Sequence, residues 1–331
     1  MRDLFQPPRM IDEARATGRG HKWIVELLIF ILVFFIIWFI EGIPVAAVML
    51  AQIFIDPSAI AEAAGRLMEG DAAGYASAIR AMITAPKWMD LITLFATVLM
   101  TVTAILFCRW FEKRRTPTLG FRRSGFVKEY LVGILAALVM ISAAVGIGML
   151  TGAYRFERRA VPVSVLALYM VGFIIQGMGE EVVCRGYLMV SISRKNPVWL
   201  AVLLSSIVFG VLHLGNPGVS LLAFINLVLS GAVFAVYVLK RGNIWGACAL
   251  HSFWNFFQGN VFGISVSGSG VTASPLIAKT AQDMPLWSGG AFGIEGGLCD
   301  TIVEIAALVI LIFLVPKKTD EFSACETPEE I

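Results

Sequence analysis

Residues 23–40 read WIVELLIFILVFFIIWFI, and this stretch indicates that the chain folds within a membrane. Every residue in it is apolar except Glu26. A helix rises 1.5 Å per residue, so about 20 such residues cross the hydrocarbon core of a bilayer. The apolar pattern continues to about residue 55, with Pro44 as a candidate kink. The stretch therefore predicts a transmembrane helix.

The composition of the whole chain agrees with this prediction. Of 331 residues, 58% are hydrophobic and 15% are charged, whereas a soluble domain is near half apolar and a quarter charged. We therefore expect an integral membrane protein. A net charge of +2 gives no support for a nucleic-acid partner. The five cysteines show no C-x-x-C spacing, so neither a disulfide framework nor a cysteine zinc site is indicated.

Seven more apolar segments follow the first one, and together they predict one all-α domain. The expected fold is a polytopic membrane helical bundle of about eight transmembrane helices. Two of the links between spans, SRKNP and KRGN, are short enough to predict antiparallel helical hairpins. The seven segments are about 88–107, 127–151, 161–191, 197–213, 219–239, 243–264 and 299–315.

The distribution of lysine and arginine predicts the orientation, because basic residues concentrate in cytoplasmic loops. With the N-terminus inside, 18 basic residues fall in inner segments and 7 in outer segments. The sequence thus predicts a multi-pass protein of the cell (plasma or inner) membrane, with both termini cytoplasmic. Of the outer segments, 56–87 is a candidate amphipathic surface helix, and the glycines of 264–298 indicate irregular backbone.

The stretch GMGEEVVCRGYL, residues 177–188, places three charges inside a predicted span. Charged residues at membrane depth are costly, so they are candidates for function. Glu181 and Arg185 are four apart and share a helix face, which predicts an ion pair that is either structural or part of a site. Glu180 is rotated by about 100° from Glu181. It faces a cavity, a polar partner or another helix, as a general base or as a neutral acid bonded to a backbone carbonyl.

Two histidines also lie inside predicted spans. His213 ends the fifth span, one turn after Phe209, and a satisfied core histidine is the alternative to a functional one. His251 and Asn255 are four apart, so an imidazole and an amide can donate hydrogen bonds to one point, as stabilising an oxyanion requires. Helix–helix contact is the alternative role for this pair. Counted along the helices, Glu180 and both histidines lie at depths that agree to within about 12 Å, so they can line one buried cavity.

Three motifs in this order, E-E-x-x-x-R, F-x-x-x-H and H-x-x-x-N, resemble a known family. It is the CAAX-protease and bacteriocin-processing (CPBP, or Abi) family of intramembrane proteases, whose eukaryotic branch is the type II CAAX prenyl endopeptidase. The match covers about residues 165–265. The GGAFGIEGG stretch before the last span also resembles bacterial members.

The resemblance implies a role for each motif residue. Glu180 activates a water molecule together with His213, and His251 with Asn255 binds the oxyanion of the tetrahedral intermediate. The second glutamate and the arginine of the first motif support and orient the site.

The resemblance leaves the role of a metal open. Glu180, His213 and His251 are a candidate two-histidine, one-carboxylate zinc site. The chain has no H-E-x-x-H motif, and a metal-free mechanism needs the same residues. We favour the metal-free mechanism, in which no cofactor is required.

The expected function is that of an intramembrane endopeptidase. Its substrate is a membrane-associated or prenylated-type protein or peptide, and the lipid bilayer is its other partner. The alternative is a non-catalytic membrane immunity or scaffold protein that binds a peptide or partner. A transporter is less favoured because no inverted repeat is visible.

The predicted organisation has five parts. They are a cytoplasmic leader (1–22), N-terminal transmembrane helices (23–160), the catalytic core (161–264), an outer loop with the last transmembrane helix (265–315), and a disordered cytoplasmic tail (316–331).

Overall fold

The computed structural model describes residues 4–55, 57–83 and 89–317, and most of them are helical. The N-terminal half contains helices α1 (Arg9–Ala16), α2 (Trp23–Ile55), α3 (Ser58–Met68), α4 (Ala72–Ile83), α5 (Met89–Ala96), α6 (Val98–Trp110) and α7 (Phe126–Leu150). After strand β1 (Tyr154–Arg158) come α8 (Val163–Glu181), a π-helix (Val182–Met189), α9 (Val190–Ser193), α10 (Val198–Leu212), α11 (Leu221–Arg241) and α12 (Trp245–Asn260). Strand β2 (Leu276–Thr280), α13 (Pro285–Ser288) and α14 (Leu298–Phe313) complete the order.

The helical membrane-type fold is confirmed, but the number of full-length spans is smaller than the eight predicted. Within the described ranges, five helical segments are long and apolar enough to cross a bilayer. The other three predicted spans form α10, α12 and α14, which have only 15 or 16 residues. At 1.5 Å per residue each is about 24 Å long or less, short of a 30 Å hydrocarbon core. The five long segments are Trp23–Ala51, Met89–Trp110, Phe126–Leu150, Val163–Ser193 and Leu221–Arg241.

Close helix contacts hold together the helices that carry the three motifs. Helix α12 packs against both α7 and α8, and α10 packs against α11. Gly177 permits the α8–α12 contact, because a Cβ there would lie 2.5 Å from Ser252 Oγ. Gly231 permits the α10–α11 contact, because its Cβ would lie 2.9 Å from Ser206 Cα. Small residues at such crossings let backbones approach in membrane bundles.

The long segment between α12 and α14 has irregular backbone, as its glycines predict. It also contains β2, which pairs antiparallel with β1, Tyr154 opposite Thr280. Glu295 is buried in this segment and accepts hydrogen bonds from Ser267 N at 2.6 Å and Gln258 Nε2 at 3.1 Å. Burial raises the pKa of Glu295 above its usual value, although both hydrogen bonds oppose the rise.

The predicted outer helix within 56–87 is instead two helices, α3 and α4, and residues 84–88 lie outside the described ranges. The leader contains α1, which packs on the bundle with Met10, Ile11 and Ala14 buried. Arg15 Nε donates to Ser193 O at 3.0 Å, close to the end of α9. Of the predicted tail, residues 318–331 lie outside the described residues.

Candidate active site

The Glu181–Arg185 pair that the four-residue spacing predicts is present. Arg185 Nη1 donates to Glu181 Oε1 at 2.7 Å, and both side chains are fully buried. Arg185 Nη2 also donates to the carbonyl of Gly231 at 3.0 Å. The guanidinium carbon lies 4.6 Å from the ring centre of Phe209 and 5.1 Å from that of Phe234. One carboxylate, one carbonyl and two ring faces therefore hold this cation.

Glu180 lies between the two histidines that the sequence places in other spans. Its Oε2 atom is 3.9 Å from His213 Nε2 and 3.8 Å from His251 Nε2. This oxygen is buried, and no described residue forms a hydrogen bond with it. The structure thus brings together a carboxylate from α8, an imidazole from the end of α10 and an imidazole from α12.

Hydrogen bonds fix the tautomers of both imidazole rings. His213 Nδ1 lies 2.8 Å from the carbonyl oxygen of Phe209, and a carbonyl only accepts, so Nδ1 carries the proton. His251 Nδ1 lies 2.9 Å from Glu181 Oε1, and an ionised carboxylate also only accepts. In each ring, Nε2 is left to face Glu180. A gap of 3.8–3.9 Å is too long for a direct hydrogen bond and leaves the two groups separated.

With both carboxylates ionised, Glu180, Glu181 and Arg185 carry one net negative charge, and an uncompensated buried charge is costly. His251 lies beside both carboxylates, and its ring stacks on Phe234 with centres 5.0 Å apart. A protonated His251 makes the cluster neutral and turns its Nε2 into a hydrogen-bond donor.

Asn255 reaches the cluster through Gln176, a residue that the motifs do not include. Asn255 Nδ2 donates to Gln176 Oε1 at 3.0 Å, and Gln176 Nε2 donates to Glu180 Oε1. The glutamine therefore occupies one oxygen of Glu180 and leaves the other toward the imidazoles. Its spacing of four residues from Glu180 on α8 is the signal that identifies it.

A cavity of about 310 Å³ gives access to these groups. Glu180, His213 and Asn255 line it, with further residues from α2, α5, α8 and the loop 266–272. Two more carboxylates, Glu41 and Asp90, also line the cavity. Glu41 is a charged residue within the first apolar run, and this pattern alone makes it a candidate functional residue. It lies outside the three motifs, so the motifs do not identify it.

The donor types of Glu180, His213 and His251 suit zinc, but the carboxylate oxygen lies slightly farther from the two ring nitrogens than zinc ligands lie from one another. Zinc–ligand distances of about 2.0–2.2 Å place two tetrahedral ligand atoms about 3.3–3.6 Å apart. The carboxylate oxygen lies 3.9 and 3.8 Å from the two ring nitrogens. In the described part of the chain, no group of three His, Cys, Asp or Glu side chains is placed to hold a metal ion.

The fold and this site define the class: a helical membrane protein with a buried carboxylate–imidazole site. Residues 162–257 match the family model described as type II CAAX prenyl endopeptidase Rce1-like. The match covers less than a third of the chain, includes every predicted site residue, and confirms the family resemblance that the three motifs predict. No curated protein matches the chain.

Proposed function

We propose that the protein is an intramembrane endopeptidase that hydrolyses a peptide bond of a membrane-associated substrate. The observation that supports this most directly is the unbonded Oε2 of Glu180 between two imidazole nitrogens. A water molecule there donates one hydrogen to Glu180 and the other to His213 Nε2. Both acceptors direct the oxygen lone pair of the water toward the cavity, where a peptide carbonyl can bind.

The reaction proceeds by general acid–base catalysis without a metal. The water oxygen bonds to the carbonyl carbon as its proton passes to Glu180, and the carbonyl electron pair moves onto oxygen. Protonated His251 stabilises this oxyanion by donating a hydrogen bond from Nε2. Asn255 releases its hydrogen bond to Gln176 and donates to the oxyanion instead. The carbon–nitrogen bond then breaks as Glu180 passes its proton to the leaving amine. The products are a carboxylic acid and an amine.

Glu181 and Arg185 position His251 in this proposal. Glu181 accepts from His251 Nδ1–H, which keeps Nε2 directed at the reacting carbonyl and stabilises the imidazolium. Arg185 balances the charge of Glu181 and fixes its carboxylate. Neither side chain touches the substrate.

The narrower proposal is a prenylated-type substrate. The description of the matching family supports it, as do apolar side chains such as Leu94 and Phe173 in the cavity wall. We expect faster cleavage of a farnesylated peptide than of the same peptide without the lipid. Equal rates would restrict the proposal to membrane-associated peptides in general.

The test of the function uses Glu180→Gln, which preserves shape and removes the base. Purified wild-type protein and Glu180→Gln in lipid nanodiscs are incubated with a membrane-anchored peptide library, and new termini are identified by mass spectrometry. We expect cleavage that both Glu180→Gln and His213→Ala abolish, with the proteins folded. Full cleavage by both variants would refute the mechanism. Full complementation in cells by Glu180→Gln would favour the non-catalytic immunity or scaffold role.

A further inference from the structure

A tight turn, residues 266–269, forms part of the wall of the cavity of about 310 Å³. Ser269 N donates to Val266 O at 2.8 Å, and Val266 N donates to Ser269 O at 3.1 Å. The two residues between them, Ser267 and Gly268, have φ angles of +47° and +84°. Turns with two positive φ angles favour Asn-Gly, and a serine in this conformation is strained. Such a conformation persists only where contacts from outside the turn hold it.

The carboxylate of Glu295 supplies these contacts. Its Oε2 atom accepts hydrogen bonds from Ser267 N at 2.6 Å and from Ser267 Oγ at 3.1 Å. The same oxygen accepts from Gln258 Nε2 at 3.1 Å, and that nitrogen also donates to Ser265 O at 2.6 Å. Asn226 Nδ2 donates to the backbone carbonyl of Glu295 at 2.9 Å. One buried carboxylate thus ties the turn to α12, and its own backbone is held by α11.

The neighbouring segments pack closely on the turn. A Cβ on Gly268 would lie 2.1 Å from Pro217 O, and a Cβ on Gly293 would lie 1.9 Å from Ser265 O. Gly268 N also donates to Phe292 O at 2.8 Å. The turn is therefore packed between the segment that follows α10 and the glycine-rich segment that precedes α14.

Hydrogen bonds continue from the turn to the end of α10. Ser267 O accepts from Asn216 Nδ2 at 2.9 Å, and Asn216 N donates to His213 O at 3.0 Å. Ser267 and His213 line both the larger cavity and a smaller one beside it, which Glu295 also lines. A chain of hydrogen bonds therefore runs from Glu295 through the turn to the backbone of His213.

We propose that Glu295 is a positioning residue for the hydrolytic site. It holds Ser267 in its strained conformation. Through the turn and Asn216 it fixes the end of α10, which keeps His213 Nε2 3.9 Å from Glu180 Oε2. Glu295 acts through these residues and does not touch the reacting atoms. The effect on catalysis rests on the proposed hydrolysis, whereas the ordering of the turn does not.

A spin label tests the ordering of the turn without requiring cleavage. In full-length protein with Cys325→Ser, the remaining cysteines are buried, so a nitroxide can be attached at the exposed position of Ser269→Cys. In lipid nanodiscs we expect a restrained nitroxide in this protein and a mobile one when Glu295→Ala is added. An unchanged spectrum in Glu295→Ala overturns the inference.

Kinetics test the positioning role on a peptide that the wild-type protein cleaves. We expect Glu295→Ala to lower kcat about 100-fold, as a misplacement of about 1 Å at a catalytic group does, with a smaller change in KM. Glu295→Gln keeps an acceptor oxygen for Ser267 and should retain more of kcat than Glu295→Ala does.

The matched control is Glu129→Ala, which removes a buried carboxylate that accepts two hydrogen bonds from Arg241. It should lower stability and leave kcat unchanged. A normal kcat in Glu295→Ala, or an equal loss of kcat in Glu129→Ala, overturns the inference and leaves the hydrolysis standing.

Asn216→Ala is the second variant if Glu295→Ala does not fold. It removes the next link and leaves the hydrogen bonds of Glu295 intact. It should also lower kcat, and a normal kcat in this variant overturns the inference. If the wild-type protein cleaves no peptide, the proposed hydrolysis fails, and the spin label decides separately whether Glu295 orders the turn.

Discussion

Glu181→Gln tests the contribution of the buried ion pair to stability. The substitution keeps the size of the side chain and an oxygen that accepts hydrogen bonds. It removes the only carboxylate in hydrogen-bond contact with the Arg185 guanidinium among the described residues. Arg185 then remains fully buried with one backbone carbonyl and two aromatic faces.

The magnitude follows from the burial of both partners. Removing one partner of a buried ion pair leaves an uncompensated charge and costs about 3–5 kcal/mol. The contacts with Phe209 and Phe234 persist in the variant, so they do not offset this loss. We therefore expect Glu181→Gln to lower the free energy of unfolding by about 3–5 kcal/mol. The double variant Glu181→Gln/Arg185→Met removes both charges and is expected within about 1–2 kcal/mol of wild type.

The four buried cysteines make the assay possible. In protein that carries Cys325→Ser, the remaining cysteines Cys108, Cys184, Cys248 and Cys299 become accessible to a thiol-reactive dye only on unfolding. Unfolding is followed in mixed micelles with increasing denaturing detergent. Glu157→Gln is the control, because its pair with Lys279 is exposed and such pairs contribute about 0–1 kcal/mol.

The double variant separates stability from catalysis. It regains stability but stays inactive, because His251 has lost the carboxylate that orients and charges it. Two results would refute the reasoning. One is a Glu181→Gln protein as stable as the Glu157→Gln control. The other is a double variant whose loss equals the sum of the two single losses.

Three further predictions concern the neighbours of the cluster. Gln176→Leu removes the hydrogen bond to Glu180, and a hydrogen bond to a charged group contributes about 1.5–3 kcal/mol. We therefore expect a folded protein whose kcat/KM is about 10- to 100-fold lower. An unchanged kcat/KM would exclude a positioning role for Gln176. Gly177→Ala pushes α8 away from α12 and should lower the free energy of unfolding by about 1–3 kcal/mol. Gly146→Ala is the control, because open space surrounds Gly146, and it should leave the free energy of unfolding unchanged or raise it. Metal analysis should find less than one zinc per molecule in active wild-type protein and in Glu180→Ala, and chelators should not inhibit the wild-type protein. One zinc per wild-type molecule that is absent from Glu180→Ala would contradict the metal-free mechanism.

The sequence predicts which side chains meet more reliably than where the helices end. Residues at i and i+4 share a helix face whatever the exact ends are. The pair Glu181–Arg185 depends only on that spacing, and the convergence of Glu180 with His213 and His251 depends on matching depths in neighbouring helices. The end of α12 depends on local backbone geometry, because the helix stops at Asn260 and the chain turns there, four residues before the predicted end at 264. Composition alone does not locate such a turn.

Two features follow from signals that the motifs do not contain. Glu41 carries the same signal as Glu180, a carboxylate inside an apolar run. Packing of the leader follows from Met10, Ile11 and Ala14, which share one face of α1 despite a polar composition. The π-helix after Glu181 has no such signal. Its wider turn depends on tertiary contacts, and π-bulges are frequent at functional sites.

Charge balance explains how the proposed hydrolytic site persists at membrane depth. Each of Glu180, Glu181 and Arg185 alone would be costly there. The guanidinium compensates Glu181, and in the proposed mechanism a proton on His251 compensates Glu180 and makes the resting cluster neutral. Transfer of a proton from water to Glu180 during attack places the new negative charge on the oxyanion beside His251. Charge is thus moved by a few ångströms within the cluster, and no net charge is created in a region of low dielectric.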